Sequence, residues 1–330
     1  MRALVTGAGG FLGRYLTEQL LERGVQVRTF SRGDYPELRA IGAETVRGHL
    51  QDAKAVEAAC SGRDVVYHTA AIAGIWGTWK NFYSINAVGT QHILAGCRQQ
   101  GVGKLIYTSS PSVTFDGEHQ RGIDETAPYA HRWLCHYPHT KALAEQEVLA
   151  ANSPQLMTCA LRPHLIWGPR DPHLIPRLLD RAQKGQLRRV GDGTNLVDIV
   201  YVENAAQAHW RAADAMQDPS SRVCGRAYFI SQGEPVNCWN WINDVLKLAN
   251  LPPVTRSIGY DAAWRIGAAL ETVYTVLRLK GEPRMTRFLA AQLGKSHYFK
   301  ISAARNDFGY EPTISTADGM QRLANSWANG

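Results

Sequence analysis

The hydrophobic and polar positions in the first half of the chain alternate between two patterns. Short apolar runs suited to buried strands are followed by longer stretches in which apolar residues recur every three or four positions, as on an amphipathic helix. This alternation is typical of a parallel sheet covered by helices on both faces. It predicts an α/β fold with a doubly wound parallel sheet. The predicted strands are residues 3–6, 25–30, 45–47, 65–69, 105–108 and 158–161, and the predicted helices are residues 15–22, 53–60, 88–100 and 140–151.

The first predicted strand ends in the glycine-rich segment "TGAGGFLG", residues 6–13. Gly7, Gly10 and Gly13 follow a strand and open a helix, which is the context of a dinucleotide-binding Rossmann turn. Gly7 allows the tight turn, Gly10 lets a pyrophosphate approach the helix N-terminus, and Gly13 lets helix and strand pack closely. Phe11 and Leu12 lie between these glycines and are predicted to belong to the same cofactor site.

The end of the second predicted strand indicates which dinucleotide is bound. An acidic residue at this place usually holds the ribose hydroxyls of NAD, but this chain reads Ser31-Arg32. A guanidinium suits the 2′-phosphate of NADP, and the serine hydroxyl adds a second donor. The sequence therefore predicts NADP(H), with NAD as the alternative because Asp34 follows two residues later.

The regular alternation of strands and helices loosens after Pro163. The chain then reads "WGPRDPHLIPRLLDRAQKG", which is rich in proline and arginine, and continues with less regular elements. We therefore predict a dinucleotide-binding Rossmann domain over residues 1–165, joined by parts of residues 195–235. A smaller, mainly substrate-binding C-terminal region is predicted over residues 166–330.

Composition and charge narrow the class of protein. The chain has 330 residues, 45% of them hydrophobic, which is enough for a full core. The formal net charge is +7, but the densest basic cluster lies in a predicted helix and its exit, without the aromatic residues of RNA-binding motifs. We expect a solvated helix face there, or a surface for an anionic substrate, and no nucleic-acid partner. The cluster consists of Arg177, Arg181, Lys184, Arg188 and Arg189.

Targeting and metal-binding signals are not recognisable in the sequence. No secretion signal or membrane-spanning run stands out, and the six scattered cysteines lack CxxC spacing. His136 and His139 are three residues apart without a third ligand, so they are expected to face solvent rather than bind a metal. We expect a cytoplasmic protein without a metal site.

The segment "HYPHTKALAE", residues 136–145, carries the candidate for proton transfer. Tyr137 and Lys141 are four residues apart, which places them on one helix face. A nearby ammonium is expected to lower the pKa of the Tyr137 phenol. The strand ending in "YTSS" adds Ser109 and Ser110, either of which could hold a substrate oxygen at the carboxyl end of a parallel sheet.

Taken together, these motifs resemble the extended short-chain dehydrogenases/reductases over nearly the whole chain. The resemblance rests on "TGAGGFLG", "YHTAA", "NAVGT", "YTSSPSV", Tyr137-x-x-x-Lys141, "WGPRD" and "VGDGTNLVDIVYVENAA". Within that superfamily the chain is most similar to the 3β-hydroxysteroid dehydrogenase branch and, in it, to bacterial reductases of 2-alkyl-3-oxoalkanoates. The segments behind this narrower resemblance are "AGIWGTWKNFYSINAVGTQ", "IPRLLDRAQKGQLRRVGDG" and "RLKGEPRMTRFLAAQL".

The resemblance implies an oxidoreductase that uses Ser110, Tyr137 and Lys141 as its catalytic set. The family alignment selects Ser110 rather than Ser109. It also implies that Tyr137 and Lys141 contact the cofactor, together with Leu50, Ala70, Ala71 and Pro163, and that the chain forms a homodimer. The family usually carries an aspartate where this chain has His49, so a side-chain contact to adenine is not assigned there.

The expected substrate is a hydrophobic β-keto acid or a sterol-like β-hydroxy compound, with one arginine of the 177–189 cluster meeting its carboxylate. An aromatic loop after the fourth predicted strand favours an apolar substrate: Trp76, Trp79, Phe82 and Tyr83. The alternative is a nucleotide-sugar epimerase or dehydratase with tightly bound NAD. A regulator that only binds the cofactor is disfavoured because Tyr137 and Lys141 are both present.

The stretch of residues 261–280 adds a second apolar feature, a stripe at helical spacing behind Asp261 as a predicted N-cap. Such a stripe is typical of a helix that faces the core. The alternatives are a lid over an apolar chain and a peripheral contact with a membrane. The stripe consists of Ile266, Leu270, Val273 and Leu277.

Overall fold

The computed structural model describes residues 1–328. Its strands are β1 (Arg2–Thr6), β2 (Gln26–Ser31), β3 (Glu44–Arg47), β4 (Val65–His68), β5 (Lys104–Thr108), β6 (Gln120–Ile123), β7 (Met157–Pro163), β8 (Ile166–Trp167), β9 (Arg189–Val190), β10 (Leu196–Val197), β11 (Val200–Tyr201), β12 (Arg226–Ile230), β13 (Val236–Asn237), β14 (Ser257–Ile258) and β15 (His297–Phe299).

The helices cover both faces of the main sheet and much of the C-terminal region. They are α1 (Phe11–Glu22), α2 (Pro36–Ala40), α3 (Ala53–Cys60), α4 (Trp79–Phe82), α5 (Val88–Gln99), α6 (His136–Ala150), α7 (Leu174–Gln183), α8 (Val202–Ala215), α9 (Cys238–Leu248), α10 (Tyr260–Val276), α11 (Arg287–Gly294), α12 (Ser302–Phe308) and α13 (Thr316–Ala328). A π-helical turn, Tyr83–Ala87, precedes α5, and a 3₁₀ turn, Pro111–Thr114, follows β5.

Seven parallel strands form the central sheet in the order β12-β7-β5-β4-β1-β2-β3. Successive side chains point to opposite faces, so Val5 and Tyr67 join the core under α1 and α8, while Leu4 and Val66 join the core under α3 and α5. Strands buried on both faces need continuous apolar sequence, which is why β4 and β7 have no exposed residue. The predicted α/β doubly wound sheet is confirmed.

The predicted elements of the first half are all present, with boundaries shifted by a few residues at most. The seventh strand, β12, was not predicted, although it extends the sheet beyond β7. It lies far from β7 in the sequence, and "RAYFI" has no alternating pattern of its own. Together with α8 it places residues 202–230 against the Rossmann sheet.

The C-terminal half builds a second, smaller layer beside the sheet. β6, β10, β13 and β15 form a four-stranded sheet, and a third core cluster gathers around Trp167, Trp239 and Trp241. No helix of the described chain has the length and apolar character required to cross a bilayer.

Candidate active site

Two adjoining cavities open at the carboxyl ends of the central strands, where parallel sheets bind ligands. One, of about 440 Å³, lies over the ends of β1, β2 and β4. The other, of about 430 Å³, lies over the ends of β5 and β7 and extends into the C-terminal region. We call them the dinucleotide cleft and the catalytic cavity. They share Gly10, Thr69, Ala71, Ala73 and His173 as lining residues.

The dinucleotide cleft fits a nicotinamide dinucleotide. Gly7 has φ 73°, and a Cβ there would lie 2.7 Å from the Ala70 Cα, so only glycine allows this turn. Gly10 caps the N-terminus of α1 without a side-chain hydrogen bond, which leaves backbone N–H groups free for a pyrophosphate. These are the features that an anionic, close-fitting cofactor needs.

Every predicted cofactor residue except one lines one of the two cavities. The exception is Gly13, where an added Cβ would come within 2.8 Å of the Gly7 carbonyl carbon and 2.9 Å of the Ala8 Cα. Gly13 therefore allows α1 to approach the turn and does not reach the cofactor site. The residues that line a cavity are Gly7, Gly10, Phe11, Leu12, Ser31, Arg32, Leu50, Ala70, Ala71, Tyr137, Lys141 and Pro163.

The end of β2 presents Arg32 to the dinucleotide cleft. Within residues 1–328 its guanidinium makes no hydrogen bond or ion pair, and its backbone carbonyl accepts a hydrogen bond of 2.9 Å from Arg47 Nε. Asp34 is held instead by Arg39, which donates to both carboxylate oxygens. The carboxylate that kept NAD open as an alternative is thus paired with another side chain.

Sequence reasoning missed Tyr35, which lies over the glycine turn. Its ring occupies the space where a side chain on Gly9 would be, and a Cβ on Gly33 would lie 3.0 Å from its Cζ. Ser31 Oγ accepts a hydrogen bond of 3.3 Å from the Gly9 N–H. The second glycine of "TGAGGFLG", Gly9, must therefore lack a side chain, because the ring of Tyr35 from the segment between β2 and α2 fills that space. The two consecutive glycines were the only signal of this contact.

A buried polar network supports the floor of both cavities. His68 Nδ1 lies 2.7 Å from Thr6 Oγ1, and His68 Nε2 lies 3.0 Å from Thr90 Oγ1. Asn86 accepts a hydrogen bond from the Ile72 N–H and donates to the Ile72 carbonyl and Thr140 Oγ1. Asn86 thus connects the loop after β4 with α6.

Helix α6 begins at His136, so Tyr137 lies in its first turn and Lys141 one turn later. Lys141 is buried and donates a hydrogen bond of 2.5 Å from Nζ to the Thr108 carbonyl. The same ammonium lies 4.1 Å from the centroid of the Tyr107 ring. Burial lowers the pKa of Lys141 to about 7, and Glu145 acts in the opposite direction. Lys141 can therefore gain and lose a proton near neutral pH.

The pKa of Tyr137 is raised rather than lowered. Burial is the largest cause, and a hydrogen bond with Ser110 acts in the opposite direction. The sequence-based expectation that Lys141 lowers the pKa of Tyr137 is wrong. The Lys141 ammonium donates to the Thr108 carbonyl and lies over the face of the Tyr107 ring instead. Tyr137 is consequently held in its protonated form at neutral pH.

The two serines after β5 have different surroundings. Ser109 is 4% exposed, and its N–H donates to the Leu161 carbonyl at 2.6 Å, which ties it to β7. Ser110 Oγ lies 2.8 Å from Ser112 Oγ, and Ser110 lines the same cavity as Tyr137 and lowers the pKa of its phenol. Ser110 is therefore the serine that the fold brings to the tyrosine hydroxyl.

An ion pair lies beneath the helix that carries Tyr137. Arg162 Nη2 donates to Glu145 Oε1 at 2.5 Å, and the two side chains are 4% and 0% exposed. Tyr129 donates a further hydrogen bond of 2.8 Å to Glu145, while Arg162 Nη1 is buried without a partner. This pair joins α6 to β7 and was not predicted from the sequence.

The apolar wall of the catalytic cavity comes from other residues than those predicted. Phe115, Phe288 and Phe299 line it, each from a different part of the chain. The four residues of the predicted aromatic loop do not line it. Trp76 lies in an outer groove against Tyr274, Trp79 and Tyr83 stack on each other, and Phe82 is buried.

No arginine is among the described residues that line the catalytic cavity. Arg177 and Arg181 form ion pairs with Glu282 on the surface, and Lys184 pairs with Asp180. The expectation that an arginine of the 177–189 cluster meets a substrate carboxylate in this cavity is therefore wrong.

The predicted histidine pair and the predicted apolar stripe agree with expectation only in part. Within residues 1–328 no group of three potential metal ligands is found. His136 is exposed as predicted, but His139 is sandwiched between Trp79 and Trp133, with ring centroids 4.8 and 5.1 Å away. Ile266 and Val273 on α10 and Leu277 directly after it are 45%, 42% and 64% exposed, so the interpretation of a core-facing stripe is wrong. The N-cap of α10 is Gly259, and Asp261 lies in its first turn.

Known proteins resemble this chain in sequence and in fold. Residues 4–256 match the 3-beta hydroxysteroid dehydrogenase/isomerase family. The chain is 48% identical to the 2-alkyl-3-oxoalkanoate reductase of Stenotrophomonas maltophilia (strain K279a), over 99% of this chain and 100% of that protein. It is 34% identical to the decarboxylating sterol-4-alpha-carboxylate 3-dehydrogenase of Mus musculus, over 99% and 91% of the two chains. The UDP-glucose 4-epimerase of Thermus thermophilus, solved with NAD, has a TM-score of 0.75 at 24% identity over 100% of both chains.

Proposed function

The chain belongs to the 3-beta hydroxysteroid dehydrogenase/isomerase family, as the sequence resemblance predicted. On this premise we propose that it is an NADP(H)-dependent oxidoreductase that interconverts a ketone and a secondary alcohol on a hydrophobic acid. The observation that carries the proposal is the meeting of Ser110, Tyr137 and Lys141 in one cavity next to the dinucleotide cleft.

The proposed substrate class is a 2-alkyl-3-oxoalkanoate, with a 3β-hydroxysteroid-like acid as the alternative. The two relatives are named for a 2-alkyl-3-oxoalkanoate and for a sterol-4-alpha-carboxylate oxidised at position 3. In both names the carboxylate is attached to the carbon next to the one that changes oxidation state. Phe115, Phe288 and Phe299 offer apolar surface to the hydrocarbon part of such a molecule.

In the proposed mechanism, Ser110 holds the substrate oxygen and Tyr137 transfers the proton. The reduced nicotinamide supplies the hydride when it is bound. Ser110 Oγ donates a hydrogen bond to the ketone oxygen, and the Tyr137 hydroxyl donates its proton as the oxygen gains charge. Because the pKa of Tyr137 is raised by burial, the residue carries the proton that reduction consumes. Oxidation of the alcohol reverses these steps.

Lys141 is proposed to return a proton to Tyr137 and to hold the nicotinamide ribose. A lysine with a pKa of about 7 is partly protonated at neutral pH, so it can act as a proton donor in this role. The backbone around Gly7 and Gly10 would hold the pyrophosphate, and Ser31 and Arg32 would hold the 2′-phosphate.

The preference for NADP(H) is tested by Arg32→Gln. Loss of a charge-assisted hydrogen bond of about 1.5–3 kcal/mol is expected to raise the KM for NADPH roughly 10- to 100-fold. The KM for NADH is expected to stay within about twofold, because NADH lacks the 2′-phosphate. Initial rates with both cofactors at saturating ketone give the comparison.

Arg98→Gln is the matched control for this substitution, because Arg98 is an exposed arginine of α5 outside both cavities. It should leave both KM values unchanged. Equal KM increases for NADPH and NADH in Arg32→Gln would rule out recognition of the 2′-phosphate.

The function as a whole is tested by a substrate screen that follows the absorbance of reduced nicotinamide. Long-chain 2-alkyl-3-oxo acids, 3β-hydroxysteroids and sugar nucleotides are each paired with NADP(H) and NAD(H). Turnover of the 2-alkyl-3-oxo acids with NADPH is expected. Turnover of sugar nucleotides alone would contradict the proposal.

The nucleotide-sugar epimerase remains the alternative function. The structural likeness to the Thermus epimerase concerns the fold, and an enzyme of that kind is expected to retain tightly bound NAD without net redox. The composition of the catalytic cavity disfavours it, since no arginine among the described lining residues is available for a diphosphate. Stoichiometric NAD in the purified protein would favour the epimerase.

The homodimer and the peripheral membrane contact stay predictions. The second is favoured by the end of α10, where Val276, Leu277 and Leu279 are 71%, 64% and 43% exposed. Arg278 and Lys280 alternate with them and would face anionic headgroups.

A further inference from the structure

Two histidines that the proposed reaction does not use lie side by side in the catalytic cavity. His164 directly follows β7, and His297 begins β15. His164 Nε2 and His297 Nδ1 are 2.7 Å apart, and the residues are 8% and 2% exposed. The rings of Phe299 and His164 form an edge-to-face contact with centroids 5.2 Å apart. Those of Phe115 and His297 form another, with centroids 6.1 Å apart. The pair is therefore a polar group set into the apolar wall.

The hydrogen-bond chain determines where the protons are. His297 Nε2 lies 2.8 Å from the Gln292 carbonyl, which can only accept, so Nε2 carries a proton. In a neutral ring Nδ1 is then an acceptor, and His164 Nε2 must donate to it. His164 Nδ1 is left unprotonated and hydrogen-bonds to no group within residues 1–328. It is the nitrogen of the pair that is open to a ligand in the cavity.

The charged groups around the pair leave it without an anionic partner. Asp171 accepts three backbone N–H groups at the start of α7, and Asp198 Oδ2 accepts the Phe299 N–H. Lys141 is bound to Thr108; Tyr137 and His173 are the remaining titratable groups that line the cavity, and His119 lies behind His297 outside it. Burial lowers the pKa of His297 to about 4 and that of His164 well below its usual value, so the pair is neutral at pH 7.

We propose that His164 is the binding site for the substrate carboxylate and that it takes up one proton from solvent when the carboxylate enters. The added proton occupies Nδ1 and is donated to the carboxylate, while the bonds to His297 and Gln292 keep their direction. This inference rests on the proposed function, in which the carboxylate is attached next to the reacting carbon.

The position of His164 in the sheet supports this assignment. Thr108 of β5 is opposite Leu161 of β7, so Ser110 and His164 lie two and three residues beyond this pair, at the carboxyl ends of neighbouring strands. Both residues line the catalytic cavity. One substrate can thus reach Ser110 and His164 together.

Proton uptake gives the inference a test that does not depend on turnover. A 2-alkyl-3-oxoalkanoate and its methyl ester, which cannot exchange a hydride with the oxidised cofactor, are titrated by calorimetry into the protein with NADP⁺ at pH 7.5, in buffers of different ionisation enthalpy. The acid should take up about one proton per molecule bound and the ester about none. Binding of the acid without proton uptake, or equal uptake with the ester, would overturn the carboxylate site.

His164→Gln supplies the second measurement, because glutamine cannot take up the proton. The KM for a 2-alkyl-3-oxo acid is expected to rise roughly 10- to 100-fold at pH 6.5, the loss of one charge-assisted hydrogen bond. The KM for the ester and the kcat for both compounds should change little. In the unsubstituted protein the KM for the acid should rise with pH, by up to about tenfold per pH unit, and this dependence should disappear in the variant.

His131→Gln is the matched control, since His131 is exposed and lies outside both cavities. Equal losses for acid and ester in His164→Gln would mean a structural role and would refute the inference. If the unsubstituted protein reduces the acid and the ester alike without proton uptake, the carboxylate site fails while the proposed function stands. If it neither binds nor reduces either compound, the proposed function itself fails.

Discussion

Replacing Tyr137 with Phe is expected to lower kcat for ketone reduction by roughly 10²- to 10⁴-fold, the usual contribution of a positioned general acid. The substitution removes one hydroxyl from a ring that burial already holds in place. Cofactor affinity, measured by the fluorescence of bound NADPH, should change by less than about threefold, because the cleft residues are untouched. The measurement is a single-turnover rate at saturating substrate.

Tyr83→Phe is the control for the loss of a phenol hydroxyl. Tyr83 stacks on Trp79 and lines neither cavity, so its rate should equal that of the unsubstituted protein. If Tyr137→Phe retained more than about a tenth of the rate, Tyr137 would not be the proton donor.

The second large effect is expected on stability, from Arg162→Met. The substitution leaves the Glu145 carboxylate, which is 0% exposed, without its cation. Breaking one side of a buried ion pair lowers the free energy of unfolding by about 3–5 kcal/mol. Urea denaturation followed by circular dichroism measures this change, with the denaturant slope used to check that unfolding remains two-state.

Arg305→Met is the surface control, since the side chains of Arg305 and Glu311 are 44% and 61% exposed. It should lower the free energy of unfolding by less than about 1 kcal/mol. The double substitution Arg162→Met with Glu145→Leu should recover most of the loss, because no unpaired charge then remains buried. If Arg162→Met and Arg305→Met lowered the free energy of unfolding equally, the buried ion pair would stabilise the fold no more than a surface ion pair does.

Features encoded in short stretches of sequence were predicted well. Strands β1 to β5 and the crossover helices α1, α3 and α5 follow from apolar periodicity, because each element buries one face or both. The glycine turn follows from a local backbone requirement at Gly7, whose positive φ excludes other residues. Tyr137 and Lys141 share a helix, so their spacing alone places them on one face.

Predictions that depended on distant contacts were less accurate. The aromatic wall was assigned to the loop with Trp76, whereas Phe115, Phe288 and Phe299 line the cavity. The pKa of Tyr137 was expected to be lowered by Lys141. Burial raises this pKa instead, and Lys141 does not offset the increase because it is hydrogen-bonded to Thr108. Both errors have the same origin, since burial and competing partners are not visible in local sequence.

The sequence by itself determined the α/β class, the dinucleotide turn and the Tyr137–Lys141 spacing, since each depends on backbone conformation or on periodicity over a few residues. Only the tertiary structure decided that β12 completes the sheet, that Arg162 pairs with Glu145 and that His164 meets His297. The two histidines are separated by 133 positions. Such pairs arise when the packed core excludes water and leaves each polar group only those partners that the fold brings to it.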